Sequence, residues 1–164
     1  MNCNIKTVDK SDFDFILSLN QKNLPEVSST DLVGMSYFLK ISSYFKIILH
    51  NNQPVGFCIG LKPGKDYFSE NYIWINKRYN SFIYVDRIVI DEKYRNIGIG
   101  SYFYNHLAET YYGKVESIIC EVNILPFNKP SINFHKKYGF KEIGQKDTEN
   151  GKKRVSYMMY KISV

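Results

Sequence analysis

The stretch FIYVDRIVIDEKYRNIGIGSYFYNHLAETY, residues 82–111, changes its hydrophobic period midway, and that change decides the fold class. Its first nine residues, Phe82 to Ile90, form an apolar run that reads as a long strand. From Ile99 onward the period becomes helical: Ile99, Phe103, Leu107 and Tyr111 fall on one face, and Gly113 stands where a C-terminal glycine cap belongs. Between them lies Arg95-Asn96-Ile97-Gly98-Ile99-Gly100. A strand end, a glycine-bearing loop and a helix start gather unpaired backbone N–H groups and the positive end of the helix around one concave spot. Gly98 and Gly100 leave room for phosphate, Lys93 and Arg95 bring positive charge to the rim, and Ser101 adds a hydroxyl. The hexapeptide is therefore an anion cradle or, alternatively, only a tight strand-to-helix turn. It is neither a Walker A loop, which ends in Gly-Lys-Ser/Thr, nor a G-x-G-x-x-G dinucleotide loop.

Working outward, Val115 to Val122 reads as the next strand. Asn128 and Pro130 open a helix that stops at Gly139, and Phe140 to Ile143 and Arg154 to Ile162 form the last strands, joined through the turn signal Asn150-Gly151. Upstream, Asn4 to Val8 suits an opening strand and Ser11 to Leu19 a short helix. Asn20 to Ser28 is a polar loop containing Pro25, and Leu32, Met35, Phe38 and Leu39 mark a second helix that ends near Ser42, with Ser29 and Thr30 offering N-cap oxygens. Phe45 to Leu49 and Val55 to Leu61 flank His50-Asn51-Asn52-Gln53-Pro54 and predict a hairpin; Tyr67 to Ile75, aromatic and Asn-rich, carries no clear period. A βαβ unit set inside a sheet whose outer pairs are hairpins gives a mixed α+β architecture. No repeat or linker divides the chain, so residues 1–164 are expected to form a single domain.

Composition narrows the function classes. The formal net charge is +6, but the lysines are scattered in ones and twos, which suits a small polyanionic ligand as well as nucleic acid. Aromatic residues make up 16% of the chain, yet no Arg-rich helix or RNP-like aromatic strand accompanies them, which argues against a nucleic-acid-binding module. Cys3, Cys58 and Cys120 are widely spaced and two lie in apolar runs, as reduced core thiols do; no disulfide is expected. Neither a leader-like segment nor a membrane-length apolar run is present, so the expected location is the cytoplasm, with no membrane partner and no metal.

The R-x-x-G-x-G order of Arg95 to Gly100, after a strand and opening a helix, resembles the acetyl-coenzyme A pyrophosphate loop of the GNAT superfamily of acyl-coenzyme A-dependent N-acyltransferases. The downstream segment Asn128 to Phe140, with its Asn, small residue, helix and terminal Gly-Phe, resembles that family's second signature. The pair of segments Tyr84 to Ile90 and Cys120 to Asn123 is similar to a bacterial acetyltransferase subgroup. The resemblance implies a central, mostly antiparallel mixed sheet whose central parallel strands splay apart, flanked by helices. It implies acetyl-coenzyme A as cosubstrate, a primary amine of a small molecule or peptide as acceptor, and direct transfer. It also implies that Ile88, Val89 and Ile90 bond the pantetheine arm through their backbone, that Arg95 and Asn96 through Ser101 hold the pyrophosphate, and that Asn123 and Asn128, with Ser131, Phe134 and His135 of the second signature, line the far wall.

Proton handling needs an acid for the departing thiolate and a base for the amine. His135 stands where many family members carry Tyr, and Tyr138 lies one helical turn on; these two are the candidate acids. Asp86 and Glu121, charges within apolar strands, are the candidate bases, each with the alternative of a surface or ion-paired carboxylate. The acceptor pocket is expected from Asn20, Pro25, Ser28 and Asp31 in the helical half and from Tyr67, Ser69, Asn71, Tyr72 and Trp74 before the central strand, with Tyr84 on that strand sharing the face of Asp86. Edge pairing of the final strands would allow a homodimer. A coenzyme A sensor without turnover is the competing reading of the same loop.

Overall fold

The computed structural model describes residues 2–162. Seven strands are ordered β1-β2-β3-β4-β5-β7-β6. The chain divides into two compact units, residues 2–61 with 87–107 and residues 62–86 with 108–162.

The first unit contains β1 (Cys3–Thr7), α1 (Phe13–Lys22), α2 (Leu32–Ile41), β2 (Tyr44–His50) and β3 (Gln53–Leu61), then the later half of β4 (Phe82–Ile90) and most of α4 (Ile99–Tyr111). β1 pairs antiparallel with β2, and β2 with β3, so the expected hairpin is present and turns through Asn51 and Asn52, both left-handed. The N-cap of α2 is Asp31 instead of Ser29 or Thr30: its carboxylate accepts from the Gly34 N–H at 2.9 Å. A charged acceptor at that position satisfies an orphan N–H and faces the positive helix end. On α4 the expected stripe is buried, with Ile99, Phe103 and Leu107 all nearly inaccessible.

The second unit contains α3 (Glu70–Asn76), the first half of β4, β5 (Ser117–Leu125), α5 (Lys129–Tyr138), β6 (Lys141–Thr148) and β7 (Lys153–Lys161). The region without a clear period, Tyr67 to Ile75, is thus mainly helix. Ser69 caps it by accepting from Tyr72 N–H at 3.4 Å, and its seven residues are too few to display a period. α5 begins and ends as its sequence signals: Asn128 Oδ1 accepts from Ser131 N–H at 3.2 Å, and the chain turns out of the helix at Gly139.

β4 and β5 run parallel, Phe82–Val85 pairing with Ser117–Cys120, and β5 pairs antiparallel with β7. The last parallel pair is Val85 with Cys120, so Asp86 and Glu121 are the first residues beyond it. Cys58 and Cys120 are buried, as expected, and Cys3 is half-buried. No helix among the described residues is long and apolar enough to cross a membrane.

Candidate active site

In the first unit, the loop after β4 has left-handed backbone at Asn96 (φ 63°) and Gly98 (φ 91°). Residues 95–98 are exposed, while Ile99 is buried and anchors the first turn of α4. Tyr102 N–H donates to Gly98 O at 3.0 Å, so helical bonding begins at Gly98. The N–H groups of Ile99, Gly100 and Ser101, which follow it, have no intrahelical acceptor by geometry and face outward with the positive helix end. Alternating left-handed residues in front of a helix start form the kind of concavity that takes a phosphate. These residues therefore fit a pyrophosphate group. Ile88, Val89 and Ile90 complete the strand leading in, Val89 buried and its two neighbours half-buried.

Arg95 does something its sequence position did not indicate. Its Nε donates to Ile90 O at 3.0 Å and its Nη2 to Asn23 Oδ1 at 2.5 Å. Asn20 and Ser28, expected in the acceptor pocket, are likewise engaged: buried Arg87 donates through Nη1 to Asn20 Oδ1 at 2.8 Å and to Ser28 O at 3.1 Å, and Asn20 Nδ2 also donates to Ser28 O.

In the second unit, β4, β5, β7 and α3 meet around Glu121. Its Oε1 accepts from Tyr84 OH at 2.9 Å and Asn71 Nδ2 at 3.2 Å, and Asn71 Oδ1 accepts from Tyr157 OH at 2.9 Å. Trp74 stacks on Tyr157 at 4.1 Å between ring centroids, and Arg78 lies over Trp74 at 4.0 Å. Oε2 of Glu121 is buried without a hydrogen-bond partner. Burial, and after it the charge of Asp86, pushes the Glu121 carboxyl up to about 8, against the hydrogen bonds from Tyr84 and Asn71. Asp86 accepts from Tyr67 OH at 2.5 Å. Tyr72 is buried and structural: its hydroxyl donates to Lys62 O at 2.6 Å and accepts from Lys65 N–H.

Thus the structure brings together Asn71, Tyr84 and Glu121, with Asp86 and Tyr67 beside them and Trp74 one layer out. Asp31 Oδ1 and Ser69 Oγ serve instead as helix caps. Sequence reading missed Tyr157, which meets Asn71 across 86 residues of chain, and Asn23; no local pattern marks either.

α5 carries the remaining candidates. Tyr138 packs on Tyr160 at 5.0 Å and on Phe140 at 5.8 Å. Strand alternation puts Tyr160 on the face opposite to Tyr157, so Tyr138 and Glu121 lie on opposite faces of this unit's sheet. Burial pushes the Tyr138 hydroxyl up to about 12. His135 is only 4% exposed, and burial pushes it down to about 4. Its Nδ1 lies 2.7 Å from Ser131 O, a group that can only accept, so Nδ1 bears the proton of the neutral ring. Phe134 stands edge-on to His135 at 5.2 Å; Asn123 O accepts from Asn128 N–H at 3.0 Å, which closes the turn into α5.

Residues 13–140 match the acetyltransferase (GNAT) family. No curated protein matches the sequence at a significant level. Among solved structures, Ard1 from Thermoplasma volcanium is similar with a TM-score of 0.79 at 17% identity, the match covering all of both chains. The ribosomal-protein-S18-alanine N-acetyltransferase from Escherichia coli gives 0.67 at 15% identity over 99% of this chain and 95% of its own. Arabidopsis thaliana Naa50, in complex with the bisubstrate analogue CoA-Ac-MVNAL, gives 0.71 at 17% identity over 98% and 99%. At these identities the likeness is one of fold.

Proposed function

The chain belongs to the acetyltransferase (GNAT) family, and on that premise we propose that it transfers an acetyl group from acetyl-coenzyme A directly to a primary amine of a small molecule or peptide. Acetyl-coenzyme A, when bound, supplies the acyl group already activated as a thioester. The observation that carries the reading is the Glu121 carboxyl: buried, beyond the last β4–β5 pair, with one oxygen lacking a protein partner and a pKa raised to about 8.

As a carboxylate, Glu121 accepts a proton from the acceptor's ammonium group and leaves a neutral amine with its lone pair available. A base near 8 matches an α-amino group, whose ordinary pKa is about 8, while drawing a proton from a lysine-type ammonium near 10.4 is uphill by about 3 kcal/mol. The orphan Oε2 is the oxygen able to take this proton, since Oε1 is already held by Tyr84 and Asn71. Asp86, held by Tyr67, is the nearby negative charge that raises Glu121. On the opposite face we assign the acid to Tyr138, which keeps its proton at neutral pH and so has one to give a thiolate. Buried, neutral His135 we assign to holding α5.

Gly98 and the first turn of α4 are the proposed pyrophosphate holders. We take residues 1–164 to act as one acyltransferase domain, a reading supported by a family match that runs through segments of both units. Cysteines that are not joined in disulfides suit a cytoplasmic location, and β6, last in the strand order, offers an edge for a homodimer. The test is a panel of α-amines, polyamines and lysine peptides incubated with enzyme and acetyl-coenzyme A and scored by thiol release. Cofactor binding without amine-dependent thiol release would establish a sensor instead, and absence of binding at millimolar cofactor would reject both.

A further inference from the structure

Arg95 stands directly before the loop proposed to hold the pyrophosphate, and its guanidinium is engaged by Ile90 O and Asn23 Oδ1. Asn23 closes the C-terminal end of α1: its own Nδ2 donates to Leu19 O at 2.8 Å and its backbone carbonyl accepts from Val27 N–H at 3.2 Å. A carbonyl on one side and a guanidinium on the other fix the orientation of the Asn23 amide, since only its oxygen can face Arg95. Five residues on, Ser28 O is held by Arg87 and Asn20. Two arginines from β4 and its following loop therefore grip the segment between α1 and α2 at Asn23 and at Ser28, all within the first unit.

We propose that Arg95 is a positioning residue for cofactor binding, latching the phosphate loop to α1 through Asn23 so that the loop and residues 23–28 order together. The proposal rests on the acetyltransferase reading of that loop. A planar guanidinium reaches two acceptors in a fixed fork, whereas a lysine ammonium offers the same charge without that geometry. The latch and a simple electrostatic role for Arg95 therefore give different results.

The test uses the full chain as wild type, Asn23→Ala, Asn23→Asp, Arg95→Ala, Arg95→Lys and the Asn23→Ala/Arg95→Ala pair. Coenzyme A affinity is measured by calorimetry, and amide exchange of residues 23–28 with and without coenzyme A. The latch predicts that Asn23→Ala, Arg95→Ala and Arg95→Lys each weaken affinity by about three- to tenfold, the worth of one lost hydrogen bond, and that the double variant is no weaker than Arg95→Ala. It predicts faster exchange over 23–28 in those variants before any ligand is added, slower exchange in wild type on adding coenzyme A, and, for Asn23→Asp, which keeps an acceptor for Arg95 but loses the Nδ2 donor to Leu19 O, tighter coenzyme A binding than for Asn23→Ala. Wild-type affinity in Asn23→Ala or Arg95→Lys, or unchanged exchange over 23–28, would overturn it. A wild type that binds no coenzyme A would overturn the acetyltransferase reading and with it the purpose of the latch, even if Asn23→Ala still loosened the segment.

Discussion

Tyr84 donates its hydroxyl proton to Oε1 of Glu121 at 2.9 Å from a ring with no solvent exposure. That bond favours the carboxylate and so pulls the Glu121 pKa down, while Asp86 pushes it up. The two neighbours should move the pH–rate profile in opposite directions. Wild-type kcat/KM should rise with pH through about 8. Tyr84→Phe should shift that limb to higher pH and Asp86→Asn to lower pH. Glu121→Gln should remove it and lower kcat/KM by about a hundredfold or more. A wild-type profile flat between pH 6 and 9 would remove Glu121 from the base role.

His135 and Glu121 leave opposite marks on stability. The folded His135 resists protonation down to about 4 against an ordinary value of 6.5, so the folded state binds fewer protons than the unfolded chain in that interval, and stability is lost as pH falls through it. Glu121, raised from 4.5 to about 8, binds more protons when folded, and its effect on stability worsens as pH rises through that interval. Thermal unfolding of His135→Asn, whose side-chain amide can still donate to Ser131 O, should lose much of the acid-side decline, and turnover per folded molecule should stay within a few-fold of wild type. A hundredfold fall in kcat with unchanged unfolding would make His135 the proton donor after all.

Gly98→Asp puts a carboxylate into the proposed phosphate cradle. Asp tolerates left-handed backbone better than most residues, so folding should change by only about 1 kcal/mol. Calorimetric titration should show acetyl-coenzyme A affinity reduced by at least a hundredfold. Retained affinity would mean that the cradle lies elsewhere.

Gly56 on β3 lies against β4 so closely that an added Cβ would come within 2.6 Å of both Val89 O and Ile90 Cδ1. The carbonyl belongs to the backbone and cannot swing aside, so Gly56→Ala must push the two strands apart. The expected cost is about 1–3 kcal/mol in chemical denaturation, with weaker cofactor binding because the displaced residues lead into the phosphate loop. An alanine variant as stable as wild type would show that β4 yields at that point.

Much of the fold was legible because it is written locally. The stripe Ile99, Phe103, Leu107 and Tyr111 needs only a 3.6-residue period, and Asn128, Pro130 and Gly139 bound α5 through groups within one helical turn of one another. α3 was not legible, because seven residues dominated by aromatics give too few turns to show a face, and its Trp74 is held by Tyr157, far away in sequence. Two candidate acceptor residues have a structural part that their sequence positions did not show. A polar side chain beside a helix end serves the nearest orphan N–H first, as Asp31 and Ser69 do.

By itself, then, the sequence determined a strand, glycine loop and helix able to cradle phosphate, and an asparagine-capped second helix in the right order for the acetyltransferase family. Only the tertiary structure decided which charge is perturbed and which arginine is engaged. Glu121 is one acidic residue among sixteen Asp and Glu in the chain until β5, β7, β4 and α3 close around it and leave one oxygen without a partner. Arg95 is a basic residue before a loop until the end of α1 arrives at its guanidinium. Desolvation and hydrogen bonding at a side chain are set by what surrounds it in space, and those neighbours come from segments up to 86 residues apart along the chain.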